Sequence, residues 1–417
     1  MNLRALRTSP AALTIVLATA AALATPAARA DASVATEPTG FTVGTTSDAV
    51  DADPSDGLCR TVSGTCSLRA AVMAANSRPG STITLPPGRY RLAVPPDPRL
   101  INGDHPDPTT GDLNVAAATT IRGSGARTTL IDANRLDRAF RMQADTRLSD
   151  LTITGGVAKE RELPITDTGG GAIANGHHMT LRRVAVTGNS AGYGGGIFNV
   201  PGSHLDLIDS TVSGNVAGEA GGIRFDDSGT VTNSTVAGNR VTNPGDRPGS
   251  LAGYGGGIDV RGLEPVEILN STISGNSSSD GGGGVNIAPA YLDSLPSPIP
   301  DVIDLPLGRL TLRNSVVAGN TVDGKAADCK KAFATIASQG HNLDGDGSCR
   351  LTGVGDLPSR APLIGPLADN GGPTDTAALL PGSPALDAAV DCPATDQRGV
   401  ARPQGAACDI GAYEHTS

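Results

Sequence analysis

The sequence predicts an all-β solenoid, a single-stranded parallel β-helix, because two short phrases alternate through the middle of the chain. One phrase is a Thr-Gly-Asn-type turn, whose asparagines are Asn189, Asn215, Asn239, Asn276 and Asn320. The other is a glycine run closed by an aliphatic residue, at Ile173, Ile197, Ile223, Ile258 and Val285. The steps between these closing residues are 24 (173 to 197), 26 (197 to 223), 35 (223 to 258) and 27 (258 to 285). A period in the twenties with insertions is typical of a solenoid in which each repeat is one coil.

The residues between the two phrases have the pattern of short strands. Segments 204–209 and 210–213 alternate polar and apolar residues and contain no apolar stripe of helical length. Each coil is therefore expected to hold three short strands that pair with the next coil, with Ile and Val stacked inside. The asparagines are expected to form a structural column at one corner, since Asn tolerates left-handed turns and bonds backbone or a neighbouring Asn.

Residues 1–30 are predicted to be a secretion signal. Arg4 and Arg7 precede an apolar run over 11–24, and Ala-Arg-Ala at 28–30 supplies small residues for cleavage. The run is too short to span a membrane, and no later segment is long and apolar enough to do so. Removing the segment takes away three arginines and changes the formal net charge from −10 to −13, which argues against nucleic acid or an anionic membrane as partner. The mature protein is expected to be secreted and extracellular.

Both ends of the solenoid are expected to be capped. Residues 31–80 are predicted to form an N-terminal segment with a helix over 67–75, whose apolar face is Leu68, Ala71, Val72 and Ala75. Coils then occupy 81–325, and 326–417 form a C-terminal module.

Six cysteines in an exported chain suggest three disulfides. They fall as local pairs, with other pairings left open: Cys59–Cys66, Cys329–Cys349 and Cys392–Cys408. All six lie outside the repeats, so they are interpreted as staples of the two ends. A metal site is disfavoured, because no two cysteines have a spacing such as Cys-x-x-Cys.

Both ends also resemble a known family. Residues 66–71 read Cys-Ser-Leu-Arg-Ala-Ala, followed by Ala-Ala-Asn at 74–76, which is similar to the Cys-Ser-Leu-Arg-Glu-Ala motif of secreted bacterial right-handed β-helix proteins; Ala70 stands where glutamate is usual. Residues 362–374, 381–387 and 409–414 resemble the choice-of-anchor Q domain of the same group, and the glycine phrases are similar to the Gly-Gly-Ala-Ile repeats of polymorphic outer-membrane proteins. The resemblance implies a secreted, right-handed parallel β-helix and assigns no catalytic residue. Because the chain stops three residues after Glu414, a released protein is expected.

One outward row of side chains is the candidate site. The position after each closing aliphatic residue points outward and forms the outer row: Ala174, Phe198, Arg224, Asp259 and Asn286. Coils stack about 4.8 Å apart, so the row is expected to be one exposed ladder. Neighbouring positions on the same wall hold Asp226, Arg261, Tyr193, Glu219 and Tyr254. Insertions over 157–168, which include Lys159, and over 240–253 are expected to turn this wall into a groove.

This composition suits an extracellular polysaccharide, since sugar rings stack on aromatic groups and Arg binds carboxylates in a bidentate manner. The predicted substrate-binding residues are Tyr193, Phe198, Glu219, Asn286 and Lys159. In a lyase acting on a uronate polymer, Tyr254, Lys159 or a histidine would be the base, and Arg224 or Arg261 would neutralise the substrate carboxylate. Asp226 and Asp259 would hold calcium in the lyase. In an inverting glycoside hydrolase they would be the two carboxylates, which stand roughly 6.5–9.5 Å apart in such enzymes.

A non-catalytic, adhesin-like or matrix protein is the main alternative, and it is favoured by an aromatic content of 2% without tryptophan. Arg224 and Asp259 would then be a surface ion pair contributing under about 1 kcal/mol. Adjacent His177 and His178 face opposite ways on a strand, which argues against a shared metal, and His341 is interpreted as structural. Segments 51–57 and 344–347 lack the ligand spacing of an EF-hand and are interpreted as turns. A monomer is expected.

Overall fold

The computed structural model describes residues 40–97, 108–158, 169–242, 254–288, 308–332 and 334–416. The predicted signal at 1–30 and Lys159 lie outside these described residues. Within them the regular secondary structure is β-strand apart from one helix, α1 (Leu68–Asn76). No helix in the described ranges has the length and apolarity needed to cross a membrane.

The strands of the described residues, in chain order, are β1 (Gly40–Thr42), β2 (Ser81–Thr84), β3 (Gly88–Arg91), β4 (Leu113–Val115), β5 (Thr119–Arg122), β6 (Thr129–Asp132), β7 (Phe140–Met142), β8 (Thr146–Thr154), β9 (Val157–Ala158), β10 (Ile173–Asn175), β11 (His178–Thr187), β12 (Ser190–Tyr193), β13 (Ile197–Asn199), β14 (His204–Ile208), β15 (Thr211–Ser213), β16 (Val216–Glu219), β17 (Ile223–Phe225), β18 (Ser228–Thr232), β19 (Thr235–Ala237), β20 (Arg240–Val241), β21 (Ile258–Val260), β22 (Val266–Leu269), β23 (Thr272–Ser274), β24 (Ser277–Ser278), β25 (Val285–Ile287), β26 (Gly308–Arg313), β27 (Val316–Ala318), β28 (Thr321–Val322), β29 (Lys325–Ala326), β30 (Cys329–Lys331), β31 (Ala334–Ser338), β32 (Leu343–Asp344), β33 (Leu357–Pro358), β34 (Ile364–Ala368) and β35 (Thr376–Leu379).

Most strands belong to three sheets that are parallel apart from the β28–β29 pair. The long sheet takes two strands from a typical coil, such as β14 and β15, which pair with β18 and β19 of the next coil. The second sheet is β4, β7, β10, β13, β17, β21, β25 and β30. The third sheet is β9, β12, β16, β20, β24, β28 and β29. A typical coil passes through all three sheets, so the predicted right-handed parallel β-helix is confirmed.

The closing aliphatic residues stack in the core, as their spacing predicts. They pair from strand to strand and have no exposed surface: Ile173, Ile197, Ile223, Ile258 and Val285. The glycines before them allow the coils to approach at the corner. A Cβ on Gly222 would lie 2.4 Å from the carbonyl oxygen of Gly257 in the next coil, so any side chain there would force the coils apart.

The asparagines of the Thr-Gly-Asn-type phrases form a buried column, which confirms the predicted asparagine column. Each side-chain Nδ2 donates to Oδ1 of the next member at 2.8–3.0 Å, in the order Asn189, Asn215, Asn239, Asn276, Asn320 and Asp328. Each Oδ1 also accepts from the backbone N–H of the preceding member, as between Asn215 and Asn239 at 3.1 Å. The column therefore satisfies backbone and side-chain groups in the same corner.

A second column, which the sequence pattern had not indicated, lies at the bend of the long sheet. An Asn or Asp with positive φ precedes a buried serine in successive coils: Asp209 (φ 50°), Asn233 (φ 53°), Asn270 (φ 48°) and Asn314 (φ 47°). These residue types tolerate the left-handed region better than others. The backbone N–H of Ser210 donates to Oγ of Ser234 at 3.1 Å, and Ser234 repeats this contact with Ser271 at 3.1 Å.

Helix α1 covers the first coil. Ser67 is its N-cap and accepts a hydrogen bond from the Ala70 backbone N–H at 3.0 Å. The predicted apolar face is buried in the core cluster with Phe41 and Ile83. Arg69 is buried as well. It forms an ion pair with Asp48 at 2.7 Å, which the sequence pattern did not predict.

The C-terminal module does more than close the end. The ladders continue past the predicted boundary at 325, since β30, β31 and β32 pair with β25, β26 and β27. Residues from 362 onward then lie against the side of the long sheet. There Thr235 Oγ1 donates to Gln397 Oε1 at 2.6 Å, and the Ala412 backbone N–H donates to Thr272 Oγ1 at 3.0 Å. The three predicted disulfides are present.

Candidate functional site

The predicted outer row is in register on the second sheet. Its five members pair from strand to strand in the order Ala174, Phe198, Arg224, Asp259 and Asn286. The row continues to Arg141 at one end and to Lys330 at the other. Side chains from consecutive coils therefore form one line on the outside of the β-helix.

The outer row is not exposed, so the prediction of an open strip is wrong. The exposed fraction of its members is between 0% and 4%: Ala174, Phe198, Arg224, Asp259 and Asn286. Tyr254 and Arg261 beside it are also buried, whereas Tyr193, Glu219 and Asp226 are partly exposed. We call these last three residues the rim, because they are the partly exposed residues of this wall.

Arg224 is the centre of a buried charge cluster. Its Nε and Nη2 donate to the two oxygens of Asp226 at 2.7 and 3.1 Å, and its Nη1 donates to Glu219 at 2.9 Å. The guanidinium lies 4.8 Å from the ring centre of Tyr193 and 5.3 Å from that of Phe198. Burial alone would lower the pKa of Arg224. The charges of Asp226 and Glu219 outweigh burial and raise this pKa above its ordinary value. Arg224 is therefore always charged and pairs with rim carboxylates, rather than forming a surface ion pair with Asp259.

Asp259 is a buried carboxyl with a different environment. Its Oδ1 accepts from Asn286 Nδ2 at 2.7 Å, and its Oδ2 makes no hydrogen bond in the described part of the chain. Burial raises the pKa of Asp259 and outweighs the opposing charges of Arg261 and Arg224. Asp259 therefore keeps its proton to a higher pH than an ordinary aspartate.

Tyr254 lies between two cations at the far end of the site. Its ring centre is 5.9 Å from the Arg261 guanidinium and 5.4 Å from Lys330 Nζ. Tyr254 as a residue is 9% exposed. The other predicted base, Lys159, and most of the insertions at 157–168 and 240–253 lie outside the described residues.

The residues predicted to hold calcium do not fit this ion. Both oxygens of Asp226 accept from Arg224, and Oδ1 of Asp259 accepts from Asn286. A cation between the two aspartates would compete with a guanidinium that already occupies the carboxylate, whereas calcium takes six to eight oxygen ligands. No step at this site is therefore assigned to calcium.

Sequence reasoning missed a second cluster, in the long sheet. His178 and His204 are paired residues of β11 and β14. Their Nε2 atoms lie 2.9 Å and 3.2 Å from the two oxygens of Asp206. The cluster borders a cleft of about 540 Å³, which Asp227 and Glu264 also line.

A signal for this cluster was present in the sequence. Both histidines lie ten residues before the glycine of their Thr-Gly-Asn-type phrase, Gly188 and Gly214. Alignment on the glycine runs hides this, because the turn before His204 is two residues longer than the turn before His178. The relevant neighbour of His178 is thus in the next coil and not the adjacent His177.

A third cluster closes the C-terminal end of the asparagine column. It consists of Asp328, Asp344 and Asp346, whose oxygens accept mainly from backbone N–H groups. Burial raises the pKa of Asp328 and of Asp344 to about 6. Asp346 differs, because its bonds from Ser348 outweigh burial and lower its pKa. These contacts fit the interpretation of 344–347 as turns, and the Nδ1–carbonyl contact of His341 with Ala388 at 2.8 Å is likewise structural.

Asp328→Asn is expected to reduce the pH dependence of stability. A carboxyl whose pKa is higher in the folded than in the unfolded state destabilises the fold when it ionises. For Asp328 this penalty is fully present above pH 6 and is relieved as pH falls towards 4. The free energy of unfolding of the wild type should therefore rise by about 1–3 kcal/mol over this interval because of Asp328. The variant should lack this rise. Asn keeps the Oδ1 that accepts from Asn320. Urea unfolding at pH 4 to 8 measures the difference, and equal slopes for both proteins would contradict it.

Comparison with known proteins adds little to this geometry. No family model matches the chain, and no curated protein matches its sequence. The resemblance of its ends to the secreted β-helix group therefore stays a prediction. Among solved structures, the chain is similar to the crystal structure of pectate lyase Pel9A, with 13% identity, 91% of this chain and 97% of the other covered, and a TM-score of 0.36. A likeness of this degree does not bear on activity.

Proposed function

We propose that the protein is a secreted, carbohydrate-active β-helix protein that binds an extracellular polysaccharide along the wall formed by the outer row and the rim. The three disulfides fit an oxidising extracellular environment. A wall that repeats coil by coil suits a linear polymer, whose sugar units also repeat.

The buried charge cluster around Arg224 is the observation that carries the proposal. Burying an arginine with two carboxylates costs more than apolar packing in the same place. Charged groups with perturbed pKa values concentrate at functional sites, and Asp259 lies next to this cluster in the outer row. The rim supplies the accessible part of the site. Tyr193 is aromatic, and the carboxylates of Glu219 and Asp226 have further acceptor capacity for sugar hydroxyls.

Cleavage is the finer part of the proposal, with Asp259 as the proton donor to the leaving oxygen once polymer binding displaces the side chains that bury it. Its raised pKa suits a general acid. In elimination from a uronate, Tyr254 or Lys159 would be the base, and Arg261 would neutralise the substrate carboxylate, since Arg224 already faces two carboxylates.

Inverting hydrolysis is the second candidate, and the raised pKa of Asp259 beside rim carboxylates favours it. Such enzymes pair a protonated carboxyl with a carboxylate that activates water. Asp226 or Glu219 would have that second role. A lyase and a hydrolase therefore share the donor and differ in the other group.

Asp259→Asn is expected to lower cleavage by at least about 100-fold, because general acid catalysis contributes about 10²–10⁴-fold. Purified protein would be incubated with a panel of uronate and neutral polymers. Ultraviolet absorbance of an unsaturated product reports elimination, and new reducing ends without that absorbance report hydrolysis. Because the active form is protonated, wild-type activity should fall as pH rises through the raised pKa of Asp259.

Asp323→Asn is the matched control, since Asp323 lies exposed in a turn and should be neutral. Polymer binding is measured separately by affinity electrophoresis. Binding without cleavage in either assay would establish the adhesin-like alternative and exclude Asp259 as donor. The proposed function would be refuted if neither the wild type nor Asp259→Asn bound any polymer of the panel. The expectation of a monomer is checked by light scattering on the same sample.

A further inference from the structure

We propose that His178, His204 and Asp206 bind a divalent transition-metal ion, with zinc as the preferred ion. The three side chains offer two imidazole nitrogens and one carboxylate oxygen, all within 4.8 Å of one another. Zinc–nitrogen and zinc–oxygen bonds of 2.0–2.2 Å place tetrahedral ligand atoms roughly 3.3 Å apart. Small side-chain rotations are therefore enough to form the site.

The orientation of the ligands supports a metal over a simple hydrogen-bonded group. The Nε2 atoms of both histidines point at the same carboxylate, one at each oxygen. The rings are edge to face with centres 4.9 Å apart, so the two nitrogens approach one carboxylate from different directions. Two imidazoles and one carboxylate match the preference of zinc and disfavour calcium, which takes oxygen ligands.

The outer contacts are those of a preorganised metal site. His204 Nδ1 is 2.8 Å from Ser228 Oγ, which directs Nε2 towards Asp206. Thr230 Oγ1 donates to Asp206 Oδ1 at 2.7 Å and orients the carboxylate. A metal-binding histidine usually donates its second N–H to such a partner, and loss of that partner typically costs 10–100-fold in affinity.

The site is accessible and leaves room for further ligands. The side chains of His178 and His204 are 54% and 34% exposed. The cleft beside them is also lined by Asp227 and Glu264. Three protein ligands at an open cleft leave at least one position for water or an added ligand.

Titration calorimetry with zinc chloride tests the site in the mature chain without a polyhistidine tag. After chelator treatment and buffer exchange, the wild type should bind one zinc ion at pH 7.5. Binding should weaken at least tenfold in His178→Gln, His204→Gln and Asp206→Asn, and about tenfold in Ser228→Ala. Cobalt substitution should give visible absorption bands that disappear in the same variants.

His177→Gln is the matched control, since this histidine lines the same cleft without belonging to the cluster. It should keep the wild-type affinity. Circular dichroism confirms that each variant is folded. The proposal is overturned if the wild type binds no zinc, if binding keeps its wild-type affinity in His178→Gln, His204→Gln or Asp206→Asn, or if it is lost in His177→Gln. None of these readouts depends on polysaccharide cleavage.

Discussion

Replacing Asn239 with alanine is expected to lower the free energy of unfolding by about 3–5 kcal/mol, at about 1–3 kcal/mol for each buried polar group left unsatisfied. Asn239 Oδ1 accepts from the backbone N–H of Asn215 at 3.1 Å and from its Nδ2 at 3.0 Å. Its own Nδ2 donates to Asn276 at 3.0 Å and to the Val212 carbonyl at 2.9 Å. Alanine removes all four contacts, and the site has no exposed surface through which water could replace them.

Urea or guanidinium unfolding of wild type and variant measures this loss. Ser213→Ala is a control two residues from the same column, since its hydroxyl makes one long contact with Thr187 at 3.4 Å. It should change stability by no more than about 0.5 kcal/mol. A loss below about 1 kcal/mol for Asn239→Ala would mean that the column is not a source of stability.

Replacing Arg69 with methionine is expected to destabilise the N-terminal cap by about 3–5 kcal/mol, because breaking a buried ion pair leaves an unpaired charge. Arg69 donates to both oxygens of Asp48 at 2.7 and 3.0 Å. It also donates to the carbonyls of Pro108 and Gly111, each at 2.8 Å. The side chains of Arg69 and Asp48 are 0% and 2% exposed, so neither charged group can turn to solvent.

The effect of Arg69→Met should depend on pH. Burial raises the pKa of Asp48, but the bonds and charge of Arg69 and the backbone N–H groups of Ala93 and Val94 outweigh it and lower the pKa. A lowered carboxyl pKa gives stability that is present above the unfolded value near 4 and is lost as pH falls through the folded value. The difference between wild type and variant should therefore shrink in acid.

Arg60→Met is the control for Arg69, because its ion pair with Asp56 is long, at 3.6 Å, and its side chain is 58% exposed. Its cost should stay below about 1 kcal/mol. Thermal unfolding followed by circular dichroism compares the two variants at pH 7 and pH 3.5. Equal losses for both would show that the buried pair has no special role in the cap.

The fold was predictable because its strongest constraints are local and repeat. Glycine is needed where a backbone carbonyl of the next coil leaves no room for a side chain, as at Gly222. The spacing between glycine runs therefore indicates the length of one coil. The Thr-Gly-Asn-type phrase reports the corner in the same way. The cysteine pairs were found because each partner is near in sequence.

The candidate site was less predictable. The register of Phe198, Arg224 and Asp259 followed from the period, but their burial did not, because exposure depends on everything that surrounds a side chain. The same holds for the partners of Arg224. It bonds Asp226, which lies two residues further along the chain and just beyond β17, together with Glu219, where the alignment had suggested Asp259.

The sequence by itself determined a coiled, glycine-cornered β-helix with an asparagine column and stapled ends, since the glycine and asparagine phrases recur along the chain and the cysteines pair locally. Only the tertiary structure decided that the outer row is covered, that the C-terminal module lies along the side of the long sheet, and that His178 meets His204 and Asp206. The physical reason is that side-chain environment is set by contacts between coils and modules whose connecting turns differ in length, and no single period describes those contacts.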